Sequence, residues 1–75
     1  MNNSTELVDE SLKKFEILFS KYLNKNNKDK WITDTVMARD KDHAIKKLKR
    51  KHYNKKDKHF PNGRRVNYII SITEL

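Results

Sequence analysis

Apolar side chains recur at every second position in the first half of the chain. Phe15, Ile17 and Phe19 have this spacing, which is the period of a β-strand with one buried face. Residues 31–38 form a second stretch that is rich in aromatic and β-branched side chains, and such residues favour strands. The segment between them, residues 24–30, contains only asparagine, lysine and aspartate. The pattern therefore predicts a β-hairpin with a polar loop.

The first of these stretches also has the spacing of a helix. Its apolar residues follow one another at intervals of four, three, four and three positions. They are Val8, Leu12, Phe15, Phe19 and Tyr22. A helix therefore stays open as the alternative interpretation of residues 13–23, beside the strand that we choose.

The first dozen residues predict a short N-terminal helix. Ser4 or Thr5 can cap its first turn, and the acidic residues that follow suit the positive end of a helix dipole. Lys13 and Lys14 suit its negative end. The predicted helix therefore ends at the start of the alternating stretch.

Asp40 marks the start of a clearer helix. Aspartate is a good N-cap, and Asp42 adds a second acid in the first turn. The apolar stripe of this helix consists of Ala44, Ile45 and Leu48, and His52 can extend it. Basic residues cover the rest of the cylinder, so we expect a helix that packs by one narrow edge and presents a cationic outer face.

The final element is preceded by the turn-forming sequence Phe60-Pro61-Asn62-Gly63. Residues 64–73 then alternate well enough to predict a strand. The side chains on one face of this strand would be Val66, Tyr68, Ile70 and Ile72.

Together these elements predict an α+β fold in a single domain, residues 1–75. We expect a small three-stranded, mostly antiparallel sheet with one packed helix and the short N-terminal helix. If the last strand pairs with the second one, that pair is parallel and its crossover is right-handed. The predicted core consists of Leu12, Phe15, Ile17, Phe19, Val36, Ala38, Ala44, Ile45, Leu48, Val66, Tyr68, Ile70 and Ile72.

The composition excludes several classes of protein. The 75 residues include no cysteine, which excludes disulfides, thiolate zinc sites and cysteine nucleophiles. The longest apolar runs are three residues, too short for a membrane span. The first residues lack the charged and apolar regions of a signal peptide. We therefore expect a soluble, cytoplasmic protein without a membrane partner.

No motif in the sequence points to catalysis. Gly63 is the only glycine, so a glycine-rich phosphate loop is excluded. We interpret Asp40 and Asp42 as helix-cap residues rather than as a catalytic acid pair. The histidines are His43, His52 and His59, which we interpret as solvated side chains. We expect no enzyme, no catalytic residue, no metal and no cofactor.

The charge is concentrated in one part of the chain. Lysine and arginine total 18 against 10 acidic residues, and the net charge is +8. Residues 40–58 contain nine basic and three acidic side chains, which gives six of the eight excess charges. Such a run is either a solvated helix face or a surface for a polyanion. The candidate polyanion- or partner-binding residues are Lys46, Lys47, Lys49, Arg50, Lys51, Lys55, Lys56, Arg64 and Arg65.

Two kinds of contact would use this surface. Lysine binds phosphate as a point charge, so nucleic-acid binding here should be mostly independent of sequence. Trp31, Tyr53 and Phe60 could offer rings for stacking. Separately, the last strand could lie at a sheet edge and pair with a partner or with a second copy, as a homodimer.

Residues 31–48 combine a strand that ends in Ala38-Arg39-Asp40 with a helix that opens Asp42-His43-Ala44-Ile45. With its abundant lysine and asparagine, this arrangement resembles the small early host-takeover proteins of lytic phages of low-GC Gram-positive bacteria. The resemblance implies a non-catalytic inhibitor of a host nucleic-acid-processing machine, acting in the host cytoplasm. Its partner would be a host protein of replication or transcription. Direct nucleic-acid binding through the basic helix is the alternative function.

Inhibitors of the replicative sliding clamp from staphylococcal phages are similar in size to this chain. Peptides that bind the clamp typically end in Leu-Phe, and Leu18-Phe19 has this ending. The glutamine that opens such peptides is absent here. The resemblance therefore names Leu18 and Phe19 as candidate partner contacts. Trp31 is a further candidate partner contact.

Overall fold

The polar segment in the first half of the chain joins two antiparallel strands. The computed structural model describes residues 12–24 and 26–75. Strand β1 is Lys13–Ser20, strand β2 is Ile32–Ala38, and a short 3-10 turn, Lys28–Lys30, lies between them. The two strands pair in antiparallel register from Lys13 opposite Ala38 to Phe19 opposite Ile32. The predicted hairpin is confirmed, and the helical alternative for residues 13–23 is wrong.

Helix α1, Lys41–Lys51, follows β2 directly. The Asp40 carboxylate accepts a hydrogen bond from the His43 backbone N–H at 2.8 Å, and this satisfies one of the unpaired donors of the first turn. The predicted N-cap is therefore confirmed. Ala44 and Leu48 are buried, so the predicted apolar stripe is the face that packs.

Strand β3, Tyr68–Glu74, pairs antiparallel with β1, so the sheet order is β2-β1-β3. The described part of the sheet therefore contains no parallel pair. The strand begins later than the predicted residue 64, because the first backbone hydrogen bond from this segment to β1 is donated by Asn67 to the Ser20 carbonyl. β3 lies at a sheet edge, as expected.

A β-bulge changes which side chains of β3 face the core. Ile17 lies opposite Ile72 and Phe19 opposite Ile69, so β3 has one more residue than β1 in this interval. Because side chains alternate between faces, the extra residue shifts the alternation. Ile69 and Ile72 pack against the core. The predicted core positions of Tyr68 and Ile70 are wrong for this reason.

The core lies between the helix and one face of the sheet. Four predicted members are half-buried rather than buried: Leu12, Ile45, Ile70 and Ile72. Ile32 packs on the core from β2. The buried apolar residues are Phe15, Ile17, Phe19, Val36, Ala38, Ala44, Leu48 and Val66. All eight were predicted from the sequence.

Residues 52–67 connect α1 to β3 through turns. Gly63 has φ +83, and a Cβ atom there would lie 2.1 Å from the Asn54 carbonyl oxygen. The chain therefore requires glycine at this position for its conformation and for the close approach of the Asn54 backbone. The predicted turn over residues 60–63 is confirmed by the hydrogen bond from the Gly63 N–H to the Phe60 carbonyl.

The predicted N-terminal helix lies outside the described residues. Lys13 and Lys14, which we assigned to its end, are the first residues of β1. Among the described residues, no helix is both long and apolar enough to cross a membrane.

Candidate nucleic-acid interface

Five of the six basic residues of α1 fall into two groups with different surroundings. The first group, called here the tethered cations, is Lys47 and Lys51. The Lys47 ammonium donates to the Met37 carbonyl of β2, and the Lys51 ammonium lies 3.0 Å from the Asp34 carboxylate. These two lysines are one helical turn apart. They therefore attach the helix to the edge strand β2.

The second group, called here the outer cations, is Lys46, Lys49 and Arg50. All three are exposed, and none forms an ion pair with a residue that the structure describes. The fold therefore leaves the charge of the outer cations directed at solvent.

Arg65 brings the connection after α1 next to the end of the helix. Its guanidinium lies 4.9 Å from the centre of the Tyr53 ring, and its Nη2 donates to the Tyr53 hydroxyl at 3.3 Å. Both contacts together fix the guanidinium over one ring face. A cleft of about 250 Å³, called here the cationic cleft, is lined by Lys49, Tyr53, Arg65 and Val66.

Arg64, the neighbour of Arg65 in sequence, lies over a different aromatic ring. Arg64 lies 5.6 Å from the centre of the Phe60 ring, and Phe60 packs on Tyr22 with 4.5 Å between ring centres. Phe60 is half-buried, whereas Tyr53 is 57% exposed. Tyr53 is therefore the ring that remains accessible to a ligand.

The acidic residue of the connection is neutralised internally. The Lys21 side chain is fully buried, and its ammonium donates to the Asp57 carboxylate at 3.1 Å and to the Lys55 carbonyl at 3.0 Å. Burial opposes ionisation of Asp57, but the hydrogen bonds from Lys21 and from the Phe60 and His59 backbone lower its pKa overall. Asp57 therefore holds the connection in place as an anion, and its charge is paired with that of Lys21.

Asp34 also binds His52, the residue that ends α1. The His52 Nε2 atom lies 2.7 Å from the Asp34 carboxylate, and the imidazole packs on Phe19 with 4.9 Å between ring centres. Burial lowers the pKa of His52, and the nearby Lys21 and Lys55 charges lower it further, against the opposing effect of Asp34. His52 is thus neutral at pH 7, and its Nε2–H donates to Asp34.

The same contacts determine the state of the Asp34 carboxylate. Burial raises its pKa, but hydrogen bonds from His52, Lys51 and the Thr35 backbone lower it overall. The expectation that all three histidines are solvated is wrong for His52, which is only 6% exposed. Its position on the stripe of Ala44 and Leu48 was the available signal.

The predicted site residues are only partly brought together. Lys49 and Arg65 line the same cleft, Arg50 lies next to Lys49, and Arg64 lies next to Arg65. Lys55 and Lys56 are exposed in the connection. The tethered cations belong to the helix–sheet contact.

The three candidate partner contacts are dispersed. Phe19 is fully buried in the central strand, so its assignment as a partner contact is wrong. Leu18 is half-buried on the opposite side of the same strand. Trp31 is half-buried and lines a separate cleft of about 280 Å³ with Asn26, Lys28, Ile69 and Ile70.

Sequence reasoning missed Lys21, which determines the position of the connection. The available signal was its spacing. Position 21 continues the alternation of Phe15, Ile17 and Phe19, whose side chains face the core. Among the described residues, no group of three or more His, Cys, Asp or Glu side chains could hold a metal ion.

Comparisons of the chain with models of protein families, with curated proteins and with solved structures find no match. The candidate interface is therefore defined by its own geometry alone.

Proposed function

We propose that the protein binds nucleic acid through the cationic cleft and the outer cations, mostly without regard to sequence. The observation that carries this proposal is the juxtaposition of Lys49, Tyr53 and Arg65 around one cleft. Phosphate attracts the two cations, and an exposed ring offers a surface to a base. The cleft thus presents the two kinds of group that nucleic-acid surfaces combine.

The distribution of charge supports the same proposal. The outer cations have no acidic partner among the described residues, and the Asp57 carboxylate is paired with the buried Lys21. A polyanion that approaches this side therefore encounters positive charge that no ion pair among the described residues offsets. Binding would release counterions from the nucleic acid, which makes affinity fall with salt. Contacts to phosphate carry little information about sequence.

The test is the affinity of the purified protein for labelled oligonucleotides, measured by fluorescence anisotropy across a range of salt. We expect the logarithm of the association constant to fall linearly with the logarithm of salt concentration, by about 0.9 per phosphate neutralised on a duplex. Lys49→Glu and Arg65→Glu should each weaken binding strongly. Salt-independent binding, or no binding at low salt, would overturn the proposal.

Lys14→Glu is the matched control. Lys14 is exposed on β1, and by strand alternation it lies on the sheet face opposite the helix. Its reversal changes the net charge by the same amount as Lys49→Glu. A loss of affinity for Lys14→Glu equal to that for Lys49→Glu would mean that net charge, not the cleft, governs binding.

Inhibition of a host nucleic-acid-processing machine stays a prediction that is based on the resemblance. Docking by a Leu-Phe peptide is not part of our proposal, because Phe19 is fully buried. A pull-down from host lysate after nuclease treatment separates the two functions. A stoichiometric protein that survives nuclease would favour the inhibitor. Homodimerisation through β3 likewise stays a prediction, which sedimentation of the purified protein tests.

A further inference from the structure

The cationic cleft differs from a plain basic surface in having an exposed ring at its wall. Tyr53 is 57% exposed, and Arg65 covers one face of its ring while hydrogen-bonding to its hydroxyl. The ring is therefore held in one orientation before any ligand arrives. Val66, which also lines the cleft, is buried, so part of the lining is apolar.

We propose that the cleft selects single-stranded over double-stranded nucleic acid by stacking one unpaired base on the Tyr53–Arg65 pair. This inference depends on the proposed function and names the form of nucleic acid that the same site takes. In a duplex the faces of the bases are covered by their neighbours, so only phosphates and groove edges reach such a surface. An unpaired base exposes both faces, and aromatic rings and guanidinium planes stack on them.

The chemistry of the four lining residues fits an unpaired nucleotide. The ring and the guanidinium plane offer stacking surfaces, Val66 offers apolar contact, and the Lys49 ammonium offers a charge for the adjacent phosphate. Arg64 is the neighbour of Arg65 in sequence, and its guanidinium lies over the Phe60 ring, outside the four residues that line the cleft. A base has a π-face whatever its identity, which keeps the selection independent of sequence.

The experiment separates electrostatic binding from stacking. Association constants for a thymidine oligonucleotide and for a duplex with a similar number of phosphates are measured against salt and extrapolated to 1 M salt. The slope reports the phosphates neutralised, whereas the extrapolated affinity reports contacts that are not electrostatic. We expect the affinity of the parent protein, extrapolated to 1 M salt, to be higher for the single strand than for the duplex.

Variants of Tyr53 then test the ring. Tyr53→Leu keeps apolar bulk but removes the aromatic face, and it should lower the extrapolated single-strand affinity by about tenfold with an unchanged slope. Tyr53→Phe keeps the ring and should retain the single-strand preference. Tyr68→Leu removes another exposed tyrosine, one that does not line the cleft, and should leave both affinities unchanged.

Arg65→Lys keeps the charge but removes the guanidinium plane, so it should also lower the single-strand affinity at 1 M salt without changing the slope. The inference is overturned if Tyr53→Leu weakens both forms equally, or if the parent prefers the duplex at high salt. The proposed function fails differently, because then neither form binds in a salt-dependent way. Thermal unfolding of each variant verifies that the fold is retained.

Discussion

The two groups of basic residues on α1 have the same chemistry and opposite roles. Lys47 and Lys51 bind the Met37 carbonyl and the Asp34 carboxylate of β2, whereas Lys49 and Arg50 lie next to them in sequence and make no ion pair with the described residues. The difference follows from rotation, because adjacent residues are about 100° apart around a helix. A count of charges therefore overstates the cationic surface that is available to a ligand.

Lys47 also occupies part of the hydrogen-bonding edge of β2. β2 is an edge strand, and unpaired carbonyls on an edge invite pairing with other chains. The Lys47 ammonium satisfies one such carbonyl, at Met37. The tethered cations thus stabilise the packed helix and close part of the edge, while the outer cations are left for binding.

The sharpest contrast is between two neighbours on the helix. Leu48→Asp places a charge in the core, where Leu48 is fully buried, and should cost several kcal/mol, enough to unfold a domain with a total stability of about 5 kcal/mol. Lys49→Asp changes an exposed residue and should leave the thermal melting temperature almost unchanged. Circular dichroism melts compare the two variants. Equal melting temperatures for both variants and the parent would mean that the helix is not packed.

Lys21, outside the helix, is a further basic residue that stabilises the fold instead of facing solvent. Asp57→Ala leaves the Lys21 ammonium buried beside a single acceptor, the Lys55 carbonyl. It also removes the side-chain acceptor of the His59 and Phe60 N–H groups, of which the Phe60 N–H keeps the Asp57 backbone carbonyl. We expect a loss of about 2–3 kcal/mol in the free energy of unfolding, measured with urea. Lys21→Met in the same background should recover part of it, because no unpaired charge then remains. Failure to recover any stability would contradict this role of Lys21.

A smaller loss is expected at Asp34, the acceptor that Lys51 shares with His52. Asp34→Ala removes the partner of Lys51 and His52, and should destabilise by about 1–2 kcal/mol because both contacts are partly exposed. Affinity for nucleic acid should not fall, since no outer cation is altered. Urea unfolding and anisotropy on the same preparation test both statements. Weakened binding by a folded Asp34→Ala protein would contradict the division into two groups.

The pH dependence of stability should include a contribution from His52. Its pKa is lowered from the ordinary value of 6.5, so the unfolded chain takes up the proton more readily than the folded one. Its contribution is therefore fully present above about pH 6.5 and is lost as pH falls through the folded pKa. The pKa values of Asp34 and Asp57 are lowered too, so their contributions are lost further down, below about pH 4.

Urea unfolding between pH 8 and pH 5 measures this loss. In His52→Gln the decrease over that range should be smaller than in the parent. His59→Gln, which removes a histidine that does not contact Asp34, is measured alongside as the matched substitution. A His52→Gln protein with the full parental decrease would assign the effect to another group.

Most of the fold can be predicted from the alternation of apolar residues in the strands and from the N-cap of the helix. The period of Phe15, Ile17 and Phe19 predicts β1, and Asp40 before an apolar stripe predicts α1. Both signals are local, because each depends on residues close together in sequence. The bulge in β3 is not local, since it depends on how that strand aligns with β1, and the alternation of residues 66–72 therefore predicted the wrong face at Tyr68 and Ile70.

The candidate site was only half predictable. Its charge and its aromatic residues are visible in the sequence, and Lys49, Tyr53 and Arg65 were all named from it. The sequence did not predict that Lys47 and Lys51 differ from the outer cations, because this difference depends on which side of α1 faces β2. The pairing of Lys21 with Asp57 joins residues 36 positions apart, and no local pattern encodes such a contact.

The central claim is that the outer cations bind and the tethered cations stabilise. Two double variants test it most directly, because each removes two charges from α1: Lys49→Ala with Arg50→Ala, and Lys47→Ala with Lys51→Ala. The measurements are the salt dependence of duplex affinity and the urea midpoint of each protein. We predict that the first variant loses up to about 0.9 of slope per charge removed and keeps the parental midpoint, whereas the second keeps the slope and unfolds at lower urea. Equal losses of slope in both variants, with equal midpoints, would contradict the claim.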